Sequence, residues 1–279
     1  MLSIIISSYQ NHFFEQISEN ISQTIGDKIE YEIVKIWNPG KMGICKAYNS
    51  GAAQSKYDNL LFLHEDVLFT ECNWGEKLLQ ILTLPNCGVV GVAGGDYYSY
   101  VPGSWWNSGH KFLHFIQTDN NGQQFLNNRC HFPENATGIP VKSLDGVFLA
   151  CTRKVYNTVK FNENITGFHG YDLIFSLEAS KKYTNFVTDQ ILINHFSAGS
   201  ISKEWLNNIL KVRSIIGILP NQKIDIKVET ENFYKLIALL KNFKYPRLES
   251  FKIIIKYLNP KIFGIKNTLK IINRTKHLL

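Results

Sequence analysis

Over its first 95 residues this chain alternates short apolar runs with segments of helical spacing, and few folds accommodate that rhythm. Leu2–Ser8 and Tyr31–Trp37 read as strands, as do residues 60–63 and 88–93, the last closed by Gly94-Gly95. Residues 11–25 carry Phe14, Ile17, Ile21 and Ile25 on one helical face. Residues 44–55 form a small-residue helix after the Asn38-Pro39-Gly40 turn, and Trp74–Leu82 a third helix. Repeated strand–helix units with short connections predict an α/β fold, a parallel sheet with helices on both faces.

From residue 96 to 139 the rhythm breaks into a stretch rich in aromatics, Gly and Asn, including Tyr97, Tyr98, Tyr100, Trp105, Trp106 and His110. Long irregular stretches inside a compact domain are usually functional loops. Strands resume at 141–144 and 147–151, followed by a helix at 172–183, a strand at 186–194 and a helix at 201–216. There is no internal repeat and no low-complexity block. The length suits one large α/β domain with an appendage, or two small domains. The division expected is a main domain over residues 1–217 and a basic helical region over 218–279.

The net charge of +7 is not spread evenly. Residues 241–279 hold ten Lys or Arg and one acid, Glu249, while the first 240 residues hold 20 basic and 22 acidic residues. The tail is therefore +9 and the body −2. Lys252, Lys256, Lys266, Lys270 and Arg274 interleave with Ile253, Ile254, Ile255, Phe263, Leu269, Ile271 and Ile272, the composition of a helix on an anionic membrane surface or of a basic helix packed on the body. Pro246 and Pro260 cut this region into short helices. It carries no nucleic-acid reading motif.

The five cysteines, Cys45, Cys72, Cys87, Cys130 and Cys151, show neither a CxxC pair nor finger spacing, as expected of reduced thiols in a cytoplasmic protein. The N-terminus lacks a basic leader and reads as a first strand. No apolar run reaches the ~20 residues that span a bilayer. Asn135-Ala136-Thr137 matches a glycosylation acceptor by chance in an Asn-rich chain. The abundance of Asn, Lys and Ile is associated with AT-rich bacterial sources, where surface polysaccharide assembly is a natural setting.

Two strand ends carry the chemistry. Leu60-Leu61-Phe62-Leu63 stops in His64-Glu65-Asp66, and Ile191-Leu192-Ile193-Asn194 stops in His195. Ligands of open α/β sheets bind at the carboxyl ends of strands, and acidic and imidazole groups there suit a divalent cation and a phosphorylated substrate. In an extended strand His64 and Asp66 point to one side and Glu65 to the other. Asp66 and His195 are the expected ligands of one ion, Mn2+ or Mg2+. The plainer readings are a solvated strand end or helix cap for Asp66 and a structural histidine for His195.

The segments Ile4-Ile5-Ile6-Ser7-Ser8-Tyr9-Gln10-Asn11, Ala47-Tyr48-Asn49-Ser50-Gly51 with 61–67, Asp145-Gly146-Val147-Phe148-Leu149-Ala150 with Arg153, Gly167-Phe168-His169-Gly170-Tyr171-Asp172 with Ser176-Leu177, and His195-Phe196-Ser197-Ala198-Gly199 occur in that order. Together they resemble nucleotide-sugar glycosyltransferases of the GT-A fold, in the broad family-2-like group and nearest its StrF-related, glycosyltransferase-like subgroup. The resemblance spans residues 4–199 and implies a mixed, mainly parallel sheet flanked by helices, to which the basic helical region is an appendage. It implies a metal-dependent, inverting transfer of sugar from a nucleoside-diphosphate sugar to a glycan or lipid-linked glycan; the expected location is the cytoplasm, with the basic tail suiting the inner face of the cytoplasmic membrane. Two positions depart from the pattern: His64 stands where the first Asp of the metal motif is usual, and Trp37-Asn38 replaces an Asp after the second strand.

The resemblance puts Ser8, Tyr9 and Asn49 on the donor side and His169 on the acceptor side. His64 suits a hydrogen bond to ribose or phosphate rather than a bond to the metal. Asp145 suits either a donor-sugar hydroxyl or a turn. Asp172 is either the general base for the acceptor hydroxyl or the cap of the helix that follows it. Trp105 and Trp106 suit either an acceptor platform or loop anchors. Two rival functions share the frame. A nucleotidyltransferase usually has a Gly-rich basic loop after the first strand, which Ser7-Ser8-Tyr9-Gln10 lacks. A non-catalytic nucleotide- or glycan-binding protein would need only the fold.

Overall fold

In the computed structural model, residues 1–119, 121–128, 136–197, 199, 201–219 and 222–276 are described. Cys130, Asn135 and Ala198, named above, lie outside them. The four described cysteines are free thiols. The opening half runs β1 (Leu2–Ser8), α1 (Asn11–Thr24), β2 (Tyr31–Trp37), α2 (Ile44–Gln54), β3 (Asn59–Leu63), β4 (Val67–Phe69), α3 (Trp74–Leu82), β5 (Cys87–Gly91) and β6 (Ala93–Gly95). It continues with β7 (Lys111–Thr118), β8 (Gln124–Asn128), β9 (Ile139–Val141), β10 (Ser143–Leu144), β11 (Phe148–Thr152), α4 (Arg153–Val159), α5 (Tyr171–Ser180), β12 (Thr184–Val187), β13 (Ile193–His195) and α6 (Lys203–Ile216). Three helices follow: α7 (Ile226–Asn242), α8 (Arg247–Tyr257) and α9 (Pro260–Thr275).

The main sheet has the order β2-β1-β3-β11-β5-β12-β9. Its strands are apolar on both faces, as expected where helices cover both sides. The two-residue period shows in how neighbours divide. Ile5, Leu60, Phe62, Val89, Leu149 and Cys151 pack against α2, α5 and α6. Ile4, Ile6, Leu61, Leu63, Val90 and Ala150 pack against α1 and α3.

The sheet is mixed and mainly parallel, as the resemblance implies. β11 runs antiparallel to both β3 and β5, and β9 antiparallel to β12. The cause lies in the path: the chain leaves β5 at the carboxyl edge, makes its long excursion there and re-enters through the same edge. Hence the turn before β11 sits beside the end of β3, where His64 N–H donates to Val147 C=O at 3.3 Å.

A second sheet has the order β10-β6-β7-β13-β4 with β8 paired to β7, and its β7 and β8 fall within the stretch expected to be irregular. The hairpin β7–β8 escapes a period-two reading because Phe112-Leu113 and Phe115-Ile116 are apolar doublets, and β7 is half-buried for seven of its eight residues. The single strands expected at 88–93 and 186–194 are each split between the two sheets, as β5 and β6, and as β12 and β13. In the second sheet β13 pairs antiparallel with β4, setting His195 opposite Val67.

The basic tail packs on the body. Phe233, Leu236, Leu240, Ile254, Tyr257, Phe263 and Ile271 join the same apolar core as Tyr48 and Phe62. Fully buried Glu229 of α7 accepts from the Tyr97 hydroxyl, Ser99 Oγ (2.7 Å), Tyr100 N–H (2.7 Å) and Val101 N–H (3.0 Å). That one carboxylate pins the aromatic loop to the tail.

Candidate active site

The carboxyl ends of β1 and β3 open into a cleft of about 680 Å³ lined by Ser7, Tyr9, Asn38, Tyr48, His64, Glu65 and Asp66. A second cleft, of about 610 Å³, adjoins it and is lined by Trp105, Trp106, Gln117, Asp145, Asp172, His195 and Trp205. His64, Phe168, His169, Tyr171, Ser197 and Gly199 border both.

At that border three side chains converge. Asp66 Oδ1 lies 3.8 Å from His64 Nδ1 and 3.7 Å from His195 Nε2, and one ligand atom from each residue falls within 4.8 Å of the others. Antiparallel pairing of β13 with β4 delivers His195 here, extended by Phe196 N–H to Asp66 C=O at 3.0 Å. His195 Nε2 is buried without a hydrogen-bond partner. Burial lowers its pKa, and the nearby His64 adds to that against the pull of Asp66. A neutral imidazole with an orphaned nitrogen facing a carboxylate fits a divalent cation held by one oxygen and two nitrogens. His64 thus stands with the cluster as well as beside the donor cleft. Its Nε2 is 2.7 Å from the Tyr171 hydroxyl. With Nε2–H donating to that oxygen, Nδ1 presents its lone pair toward Asp66.

Glu65 turns the other way. Its buried carboxylate accepts from Tyr9 N–H at 3.1 Å and Gln10 N–H at 3.2 Å, fixing the turn after β1. Tyr9 stands exposed at the cleft. Ser8 does not reach it: its hydroxyl is buried without a partner, and Ser7 forms the lining instead. Asn49 is also placed elsewhere. Its amide donates to Phe161 C=O and Glu163, and its carbonyl accepts from Tyr156 and Phe161 N–H, all at 2.9 to 3.1 Å. Asn38 ties its own turn, accepting from Met42 N–H and donating to Met42 C=O, both at 2.9 Å.

Asp172 lies in the first turn of α5, but the cap position belongs to Gly170, whose φ of +79° suits glycine. Burial first and the nearby Asp145 charge second raise the Asp172 pKa, the backbone N–H groups of Leu173, Asp172 and Gly146 restrain the rise, and the result is about 7. Asp145 is held by Trp105 Nε1–H (2.9 Å) and Val147 N–H (2.9 Å). Gly146 is required between them, because a Cβ there would overlap the Tyr171 hydroxyl. Trp105 is buried as an anchor, whereas half-buried Trp106 stacks on Trp205 with centroids 5.5 Å apart and planes 14° apart. His169 borders both clefts. The residues given no role from the sequence are Tyr171, Ser7 and Trp205; Tyr171 and Ser7, adjacent in their motifs to Asp172 and Ser8, carried a signal, and Trp205 did not.

This arrangement, a mainly parallel sheet with helices on both faces and a polar carboxyl edge, is the GT-A glycosyltransferase fold. The chain belongs to the glycosyltransferase-like family, whose model matches residues 3–208. Among solved structures it is similar to GalNAc-T7 with UDP, GalNAc and Mn2+ (11% identity, 77% of this chain, TM-score 0.52). The chain spans about half of that protein, 48% of its length. It is also similar to residues 1–349 of S. aureus TarS in complex with UDP, at 13% identity over 90% of this chain and 74% of that one, with a TM-score of 0.52. At such identities the likeness is one of fold. Comparison with curated proteins gave no match.

Proposed function

We propose that this protein transfers a sugar, with inversion, from a nucleoside-diphosphate sugar to a hydroxyl of a glycan or lipid-linked glycan. The cluster of His64, Asp66 and His195 at the border of two adjoining clefts is the observation that carries this reading. The first cleft takes the nucleotide, with Tyr9 at its mouth, and the second takes the acceptor, with Trp106 and His169 on its walls. His64, Asp66 and His195 would hold Mn2+ or Mg2+. Such an ion supplies Lewis-acid stabilisation of the charge that develops on the departing diphosphate.

Asp172 accepts the proton of the acceptor hydroxyl as its oxygen bonds to the anomeric carbon and the carbon–oxygen bond to the diphosphate breaks. A carboxylate titrating near 7 matches that task at neutral pH. Asp145, oriented by Trp105, receives a donor-sugar hydroxyl. Tyr171 acts as a positioning residue for His64. The protein works in the cytoplasm, peripherally at the membrane; among the described residues no helix is long and apolar enough to cross one.

Calorimetry with UDP, chosen because the similar structures hold it, tests the reading. Binding is expected to need Mn2+ and to disappear in Asp66→Ala. Metal-independent binding that survives this substitution would sink the metal-site assignment.

A further inference from the structure

The tail helices have two apolar faces, of which the core uses one. On α8, Ser250, Ile254 and Tyr257 point inward, while Leu248, Phe251 and Ile255 are 65%, 43% and 54% exposed. The exposed residues follow i, i+3, i+7 spacing and so form a separate stripe, roughly a third of a turn around the helix from the buried one. On α9, beyond the kink at Gly264, Thr268, Ile271 and Thr275 are buried, while Ile265, Leu269 and Ile272 stand out at i, i+4, i+7, with Ile265 78% exposed. Exposed apolar stripes on two successive helices are unusual for a surface with no partner.

Lysines flank each stripe. Lys252 and Lys256 lie along one side of the α8 stripe, and Lys266 and Lys270 along one side of the α9 stripe, all of them exposed. They belong to a segment of net charge +9 on a body of −2. A protein groove would ask only for apolar contact. Apolar side chains with a cationic border match instead the boundary of an anionic leaflet, where the stripe enters the acyl region and the ammonium groups stay among headgroups.

From this we infer that the outer faces of α8 and α9 dock the protein on an anionic lipid bilayer, with Leu248, Phe251, Ile255, Ile265, Leu269 and Ile272 entering it. The inference rests on the peripheral-membrane part of the function proposed above and is independent of the chemistry of the cleft. The inward faces hold the helices to the core, so docking needs no unfolding.

Co-sedimentation of the full chain with phosphatidylcholine vesicles, with and without phosphatidylglycerol, tests it. Binding is expected only with the anionic lipid, and it should weaken as salt is raised. The combined Phe251→Ser, Ile255→Ser and Leu269→Ser variant keeps the charge and is expected to lose sedimentation. Because those side chains are exposed, its thermal midpoint should match that of the unaltered protein. Lys252→Ala, Lys256→Ala and Lys266→Ala together should weaken binding about 100-fold, at about fivefold per lysine. If the serine variant sediments like the unaltered protein, the membrane association stands but these stripes are the wrong surface. If the unaltered protein never sediments with anionic vesicles, the peripheral location falls as well. A dimer that the serine substitutions dissociate would assign the stripes to a second copy of the chain and overturn the inference.

Discussion

Asp172 and Glu229 are both enclosed carboxylates near a helix start, and their surroundings could hardly differ more. Glu229 accepts four hydrogen bonds, from two hydroxyls and two backbone N–H groups, and thereby joins α7 to the 97–101 loop. Asp172 faces the second cleft with Asp145 nearby, and its pKa rises to about 7. A carboxylate whose lone pairs are all engaged is committed to structure. One kept among acids, with a cleft before it, is ready to take a proton. The contrast lies in what surrounds each acid rather than in the residue type.

Exchanging each acid for a neutral residue separates the two roles. Asp172→Asn should lower turnover about 1,000-fold while leaving nucleotide binding intact, within the range general-base catalysis supplies. Turnover equal to that of the unaltered enzyme would remove Asp172 from the mechanism. Glu229→Ala strands four donors and should cost about 3 kcal/mol of stability in a denaturant titration. A cost near zero would show that the loop is held by its apolar contacts alone. Tyr171→Phe keeps the packing but frees His64, and should weaken Mn2+ binding about tenfold by calorimetry. Unchanged affinity would mean that His64 is oriented by other contacts.

The smallest effect concerns pH. A carboxyl whose folded pKa lies above its unfolded value favours the fold while protonated, and this contribution fades as pH rises through the folded pKa, here about 7. Asp172→Asn removes the fading. The variant should therefore gain about 1 kcal/mol more, relative to the unaltered protein, at pH 8 than at pH 5, read as a difference in thermal midpoint. An equal difference at both pH values would place the Asp172 pKa near its ordinary value.

Local patterns carried much of the fold. Leu2–Ser8, Tyr31–Trp37 and Trp74–Leu82 were legible to the residue because their apolar periods are unambiguous. The hairpin of β7 and β8 was not, since doublets such as Phe112-Leu113 hide the two-residue period. The breaks between β5 and β6 and between β12 and β13 were hidden too, because a continuous apolar run says nothing about where a strand changes sheet. Among candidate site residues, Tyr9, His64, Asp66, Asp145, Asp172 and His195 line the two clefts, whereas Ser8 and Asn49 are turned into hydrogen-bonded or buried surroundings. A motif fixes which backbone reaches an edge, but one residue of strand register decides which side chain faces the opening.

The amino-acid order alone determined the first strands and helices of the main sheet and which polar groups would stand at the ends of β3 and β13, because burial and periodicity act over a few neighbouring residues. Only the tertiary structure decided that β11 runs antiparallel, that β13 carries His195 to Asp66, and that the tail turns one apolar face inward and another outward. These depend on contacts between segments far apart in sequence, whose pairing direction and register no local pattern records.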